Sequence, residues 1–411
     1  MGDVITAPPS PSVRRVVEHD YPTAEILALN MGPQHPSTHG VLRLMLEIEG
    51  ETVLSLKPMI GYLHSAKEKL AEHKTYHMFI PYTDRLDYLS PMANNYAFVA
   101  SVEKLLGIEE TERCKWLRTI LCELARISSH LLCIGTHAME LGAMTVFLYT
   151  FRERETLYDL FEEICGARFT VSYMRVGGVA RDYPDGWLDK VKKFIDDFPA
   201  CHRDYTDLLA MNDIFVGRTR GVGVITAEDA VDHCLTGPML RGSGVDWDLR
   251  KRDPYLVYDQ LDFDVPTRAE GDCYARFQCR MQEMLESCKI IEQCLEKMPK
   301  DGPINIDNPK VIFPPRERVK QSMEDLIHYF LLASDGIHVP EGEAYRPIEA
   351  SKGELGFYLV SRGGYKPYRC KIRSPSFVNL QSLSKMSEGA LIADVVAIIG
   401  SIDLVLGEID R

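Results

Sequence analysis

The 411-residue sequence predicts an α+β fold in which helix dominates. Long stretches of helical apolar spacing fill the middle of the chain, most of them closed by a glycine. Strand-like patterns are confined to its two ends, at 25–57 and 344–373. No internal repeat or low-complexity block interrupts this order.

Residues 1–22, rich in proline and polar side chains, read as a flexible or partner-bound tail. Residues 23–411 read as one domain with a β-rich entry (23–75), a helical core (76–300) and an α+β C-terminal part (301–411). In the entry, Val41–Glu49 alternates, Gly50-Glu51 turns, and Thr52–Lys57 returns. Gly61–Lys74 has helical period, and Arg85–Leu106 follows until Gly107 stops it. Glu110–Leu141 and Met144–Cys165 are long helical stretches closed by Gly142 and Gly166. Turns this short between successive long helices suggest an antiparallel bundle. Trp187–Met211 is a further amphipathic helix, and Gly, Pro and Asp break 212–267 into loops around short elements. Glu270–Lys297 is helical up to Met298-Pro299, and a Pro-rich connection fills 299–316. Gln321–Leu332 is helical. Ala344–Ile348, Gly353–Val360 and Tyr368–Arg373 are strands, and Gly363-Gly364 turns the second into the third. The last helix spans Ala390–Gly400.

A net charge of −13 argues against a nucleic-acid partner and against broad electrostatic docking on an anionic bilayer. No run of about 18 apolar residues occurs, so no transmembrane helix is expected. The start of the chain has no apolar signal core, and the sequence reads as cytoplasmic in a prokaryote. None of the 11 cysteines forms Cys-x-x-Cys, which disfavours a zinc ribbon, an iron–sulfur cluster or a disulfide framework. Most of them read as buried small apolar side chains in a reducing compartment.

Three segments could carry chemistry. In Gly32-Pro33-Gln34-His35-Pro36-Ser37-Thr38-His39-Gly40 two histidines stand four apart, but the prolines and glycines make a loop entering a strand, not a metal-binding helix. Without a function they are turn histidines. Pro81-Tyr82-Thr83-Asp84-Arg85-Leu86-Asp87-Tyr88 reads as a helix start with Asp84 as N-cap. Tyr88 is there either packed in the core or functional. His137-Ala138-Met139-Glu140-Leu141-Gly142-Ala143-Met144 places an acid within the most apolar helix. Glu140 is then paired, water-facing or functional, because burying a lone carboxylate is costly. The glycines at 221–223 and 242–244 do not fit a nucleotide-binding strand–turn–helix. Arg152-Glu153-Arg154-Glu155 reads as a solvated or interface face.

Together with Ile60–Lys74, Glu103–Gly107, Phe151–Glu155, Arg175–Val179, Leu240–Lys251, Ser351–Gly356 and Ala397–Arg411, these segments resemble the D subunit of NADH–quinone oxidoreductase, the respiratory complex I. The resemblance runs from about residue 25 to the last residue. It implies a fold like the nickel–iron hydrogenase large subunit: a central long-helix bundle with small antiparallel β elements at the two ends. Hydrogenases hold nickel with two Cys-x-x-Cys pairs. Here Val405 and Glu408 occupy the later pair's positions, and the earlier pair falls near His64–Lys67. Without thiolates the nickel site cannot form, so a hydrogenase is excluded and no metal is expected. The family uses the vacated cavity for quinone.

The resemblance further implies that His39 and Tyr88 bind the quinone head group, with Val405 lining its cavity. Glu140 stands where the family has an Asp beside the imidazole. Imidazole titrates near neutral pH, and phenol is a good donor to developing negative charge. Arg85, Ser65 and Thr170 fall near a neighbouring subunit's iron–sulfur cluster. Arg85 is retained, whereas Ser65 replaces a frequent Arg and Thr170 a frequent His. Losing that cation and that imidazole implies a lower, less pH-dependent cluster potential, which suits a low-potential quinone such as menaquinone. Lys67 offsets part of the loss. Flavin (FMN) and clusters are expected on partner subunits, and quinone is the substrate. The expected neighbours within complex I are the cluster-bearing B, the peripheral-arm C and the membrane-arm H subunits, at the cytoplasmic side of a prokaryotic membrane. The competing expectations are a sister complex fed by ferredoxin or another donor, and a non-catalytic scaffold with the hydrogenase fold.

Overall fold

The computed structural model describes residues 26–411, so the tail expected at 1–22 lies outside the described residues. Strands β1 (Ile26–Met31), β2 (Arg43–Glu49) and β3 (Thr52–Met59) form an antiparallel sheet in that order. Alternation along β2 turns Leu44, Leu46 and Ile48 inward.

Helices α1 (Lys67–His73), α2 (Tyr76–Thr83), α3 (Pro91–Leu106), α4 (Glu112–Glu140) and α5 (Met144–Cys165) follow. Two expectations fail here. Helix covers only the second half of Gly61–Lys74, because Asp410 engages the first half. Its carboxylate accepts from the backbone N–H of Gly61 (2.9 Å) and Leu63 (2.6 Å), and such tertiary bonds replace those of a helix. Arg85–Leu106 is not continuous either. Pro91 opens α3 and disfavours helix at Ser90. Asp84 therefore follows the end of α2 instead of capping a helix start, and Tyr88 lies in the link between two helices.

The short hairpin β4 (Met174–Arg175) and β5 (Gly178–Val179) precedes α6 (Trp187–Tyr205), which runs on through a π-helical turn to Ala210. Short helices α7 (Asp213–Thr219), α8 (Ala227–Asp232), α9 (Pro238–Arg241) and α10 (Leu249–Arg252) lead to the long α11 (Cys273–Lys297). After the Pro-rich connection come α12 (Arg316–Val319) and α13 (Met323–Ser334). Strands β6 (Val339–Ala350), β7 (Gly353–Gly364) and β8 (Arg369–Arg373) form the second three-stranded antiparallel sheet. β6 and β7 are longer than the sequence patterns indicate, β7 running through Gly363-Gly364 so that the turn falls at 365–368, and β8 is one residue shorter. The chain closes with α14 (Pro375–Leu380), α15 (Ser382–Ser387), α16 (Ile392–Ile402) and α17 (Leu406–Asp410).

α4 is the axis of the molecule and packs against α3, α5, α11 and α16. Its apolar faces feed a large core that includes Leu117, Leu124, Ile127 and Leu131. A second core joins the inner face of β1–β3 to α16 through Leu44, Val53, Val395 and Ile399. The first described sheet and α16 are thus layered on each other, and Val53 exchanges backbone hydrogen bonds with Gly389 and Ala390. Buried ions cross-link the elements. Arg241 of α9 contacts Glu283 of α11 and Glu349 of β6 at 2.7 Å each. Arg250 of α10 contacts Asp248 at 2.7 Å and Glu123 of α4 at 3.2 Å.

Candidate functional site

Glycine and threonine close the first loop. Gly32 has φ +81°, and an added Cβ would lie 2.2 Å from the Leu42 carbonyl and 2.6 Å from Thr38 Oγ1. Only glycine permits that conformation together with that approach. Thr38 Oγ1 donates to the His35 carbonyl at 2.9 Å. The loop separates its two histidines by role. His35 Nδ1 accepts from the Ser37 N–H and caps the turn at 36–38, so its imidazole serves the loop. His39 takes the left-handed backbone at φ 54° and is exposed. The turn at 36–38 packs on α16. Burial lowers the His39 pKa below the usual histidine value, and the Asp403 carboxylate opposes that shift.

The link between α2 and α3 is anchored from below. Asp84, fully buried, accepts from Asn95 Nδ2 at 2.7 Å and from the Ser172 N–H at 3.1 Å, and the Ser172 hydroxyl also donates to it. These bonds hold Tyr88 half-buried, with its ring against Phe169 at 5.9 Å between centroids. On the other side, α17 presses Gly407 onto the same link. A Cβ there would meet the Leu86 carbonyl at 2.7 Å and Tyr88 Cδ1 at 3.4 Å.

Lys352, in the β6–β7 turn, joins the two halves of the site. Its Nζ lies 3.1 Å from Asp87 Oδ2, 3.5 Å from Asp403 Oδ2 and 2.8 Å from Ser129 Oγ. Burial opposes the charge on Lys352, but Asp403 and Asp87 overcome it and hold the pKa above the ordinary lysine value. Asp87 precedes Tyr88. Burial raises the Tyr88 pKa, Asp87 adds to the rise, and Lys352 counters it. His39 and Tyr88 are therefore coupled to one buried Asp87–Lys352–Asp403 cluster. Glu408 borders it, accepting from Ser376 Oγ at 2.5 Å, and its pKa is raised by burial and by Asp87.

The two expected cysteine-pair positions come together. Lys67 Nζ donates to the Gly407 carbonyl at 3.1 Å and to the Arg85 carbonyl at 2.9 Å. Val405 is buried at the N-terminus of α17. Buried Cys133 has its thiol pushed up to about 12, first by burial. Among the described residues, no group of three or more His, Cys, Asp or Glu side chains could hold a metal ion. Arg85 and Ser65 are exposed and Thr170 is half-buried, next to Phe169.

Glu140 differs from its expected surroundings. It ends α4 and lies against α16, where an added Cβ at Gly400 would meet its Oε2 at 2.4 Å. That oxygen is buried without a hydrogen-bond partner among the described residues, and burial raises the pKa to about 8. Glu140 thus has no salt bridge among the described residues, and one of its carboxylate oxygens is shut away from water. The carboxylate whose charge acts on His39 is Asp403, at the C-terminal end of the same α16. Lys352, Asp87 and Asp403 escape sequence reasoning. Lys352 and Asp403 are isolated charges, Asp87 stands unremarked in the segment of Tyr88, and only the fold gathers them. The one sequence signal is a lysine and an aspartate set among small and apolar neighbours at 350–353 and 402–406.

The architecture and this site define a helix-dominant α+β protein of the hydrogenase large-subunit kind, with other side chains in the thiolate positions. Residues 140–411 match the family described as respiratory-chain NADH dehydrogenase, 49 Kd subunit. The chain is 55% identical over 389 residues to the NADH-quinone oxidoreductase D subunit of Geotalea uraniireducens, covering 95% of this chain and all of that one. It is 56% identical to the D subunit of Geobacter sulfurreducens over the same shares. With a D 2 subunit of Koribacter versatilis the identity is 57%, over 94% of this chain and 96% of the relative. The chain belongs to the family of NADH-quinone oxidoreductase D subunits, the 49 kDa subunit of complex I. It is therefore a subunit of an oxidoreductase complex, with other complex I subunits as partners. Among the described residues, no helix is long and apolar enough to cross a membrane.

Proposed function

We propose that this chain holds a quinone head group while the quinone is reduced, and that complex I couples this step to proton translocation. The observation that carries the reading is the linkage of His39 and Tyr88 to one buried Asp87–Lys352–Asp403 cluster. Reduction to quinol takes two electrons and two protons, one proton at each ring carbonyl. Electrons arrive from a neighbouring subunit that carries an iron–sulfur cluster. Negative charge then develops on the carbonyl oxygens, where an imidazole N–H and a phenol O–H are matched donors. Asp403 supports positive charge on His39 as the proton balance shifts. Lys352 favours negative charge on Tyr88, as donation from its hydroxyl requires. Val405 contributes an apolar wall. Glu140 acts from the end of α4, against α16, and not on the imidazole.

Arg85, Ser65 and Thr170 face the electron donor in this reading. Lys67, next to the Arg85 backbone, is a second nearby cation beside Arg85, and burial lowers its pKa. The donor's cluster therefore has a low and weakly pH-dependent potential, and a low-potential quinone such as menaquinone is the acceptor. The B, C and H subunits of the complex are the neighbours, and NADH feeds the complex through its partner subunits at the cytoplasmic membrane face.

Membranes carrying Tyr88→Phe test the reading. NADH-to-quinone electron transfer falls at least about tenfold, a loss of about 1.4 kcal/mol of transition-state stabilisation. NADH oxidation by an artificial acceptor stays normal. If both activities stay normal, Tyr88 is a packing residue and the chain is a scaffold.

A further inference from the structure

A recess of about 380 Å³ lies between His77 of α2, Arg175 and Val176 of the β4–β5 hairpin, and Asn305, Ile312 and Phe313 of the Pro-rich connection. Among the described residues, the Arg175 guanidinium makes no hydrogen bond or ion pair, and only its carbonyl is engaged, by Arg118. Arg118, behind the same hairpin, is by contrast paired with Glu103 at 2.9 Å and Glu110 at 2.8 Å. Burial lowers the Arg175 pKa below the usual arginine value, and Asp84 acts on it only through space. The His77 ring stacks on Phe313 at 5.5 Å, and its buried Nδ1 lacks a partner among the described residues. A half-buried cation and an orphaned ring nitrogen in an apolar-walled recess are costly unless something polar reaches them.

The recess continues into an uncovered apolar face. Tyr329 of α13 packs edge-on against Phe313 at 5.6 Å. Met323 and Phe330 of the same helix are 71% and 66% exposed, and Ile327 is also exposed. The nearby Asp325 is already paired with Arg318, at 3.0 Å. We propose that the recess and this face of α13 dock another subunit of the complex, which inserts an Asp or Glu side chain against Arg175 and lays an apolar segment over Phe313, Tyr329 and Phe330. Charge complementarity selects that occupant. The chain carries a net charge of −13, and Arg175, unpaired among the described residues, is a local cation to which an acidic side chain is attracted. A guanidinium also matches a carboxylate in bidentate fashion, and His77 supplies a further polar atom.

The test uses intact purified complex with p-benzoylphenylalanine in place of Phe330 and, separately, of Phe313. Photo-cross-linked peptides are mapped by mass spectrometry, a readout independent of quinone reduction. The expected product joins this chain to another subunit, at a peptide with an Asp or Glu among apolar residues. Arg175→Met lowers the yield about tenfold or more, while Arg175→Lys keeps most of it. Neutralising the mapped carboxylate gives the same loss, with no additional loss in the Arg175→Met background. The proposal is overturned if both probes react only with this chain, its residues 1–25 included, or with no protein. It is equally overturned if the yield is indifferent to Arg175→Met.

Discussion

Two carboxylates near α16 divide the electrostatic work around His39. Asp403 raises the His39 pKa against burial, whereas Glu140 sits against Gly400 with its own pKa near 8. Asp403→Asn should move the histidine-dependent limb of the pH profile for quinone reduction to lower pH, and Glu140→Gln should leave that limb in place. The reverse result would return Glu140 to the imidazole and remove Asp403 from the site. Stability separates the two as well. An acid with a raised folded pKa contributes stability that is complete below its ordinary value of 4.5 and is lost as pH rises through about 8. Unfolding midpoints should accordingly fall across that window in the parent chain, and Glu140→Gln should flatten the fall. His39 and Tyr88 stood out as candidates because their local motifs, rich in proline, aspartate and aromatic residues, resemble the family's. The charge of Asp403 acting on His39 did not stand out, because it joins residues at opposite ends of the sequence.

The long helices were legible because burial along one face imposes a period that a single sequence displays. α4 and α5 begin and end within two residues of their expected limits. The links at 61–66 and 85–90 were misread as helix, the first because its backbone N–H groups bond to Asp410 and the second because Pro91 sets the start of α3. α17 escaped notice because it is a single short turn after Asp403. Two glycines separate packing of the scaffold from packing of the site. A Cβ at Gly135 of α4 would meet Thr150 Oγ1 of α5 at 2.3 Å, and one at Gly407 would meet the carbonyls of Arg85 and Leu86 at 2.8 and 2.7 Å. Each alanine substitution should cost about 1–3 kcal/mol by overpacking. Thr150 can rotate, but the backbone beside Gly407 yields only by moving the link that carries Tyr88. Gly407→Ala should therefore depress quinone reduction more than Gly135→Ala at equal loss of thermal stability, with artificial-acceptor activity retained in both. Equal effects on quinone reduction would remove α17 from the positioning of Tyr88.

At the scale of the whole molecule, buried ions hold the helical core to the C-terminal sheet. Arg241 alone touches Glu283 of α11 and Glu349 of β6, and lies 3.6 Å from Asp248 beside α10. All these side chains are fully buried, so the network stands only while each charge is compensated. Glu349 precedes the β6–β7 turn that presents Lys352 to Asp87 and Asp403, and Arg126 of α4 also grips the Glu349 and Ala350 carbonyls, at 2.6 and 2.9 Å. The network thus fixes the turn on which the site depends. Removing the guanidinium in Arg241→Met leaves carboxylates buried without their cation, and should cost about 3–5 kcal/mol. Replacing a partner at the same time, in Arg241→Met with Glu349→Leu, removes one uncompensated charge and should recover part of that loss. Thermal unfolding of the two variants beside the parent measures the difference. If the double variant is less stable than the single one by the full additive amount, Arg241 and Glu349 are independent, and the turn carrying Lys352 is held by packing alone.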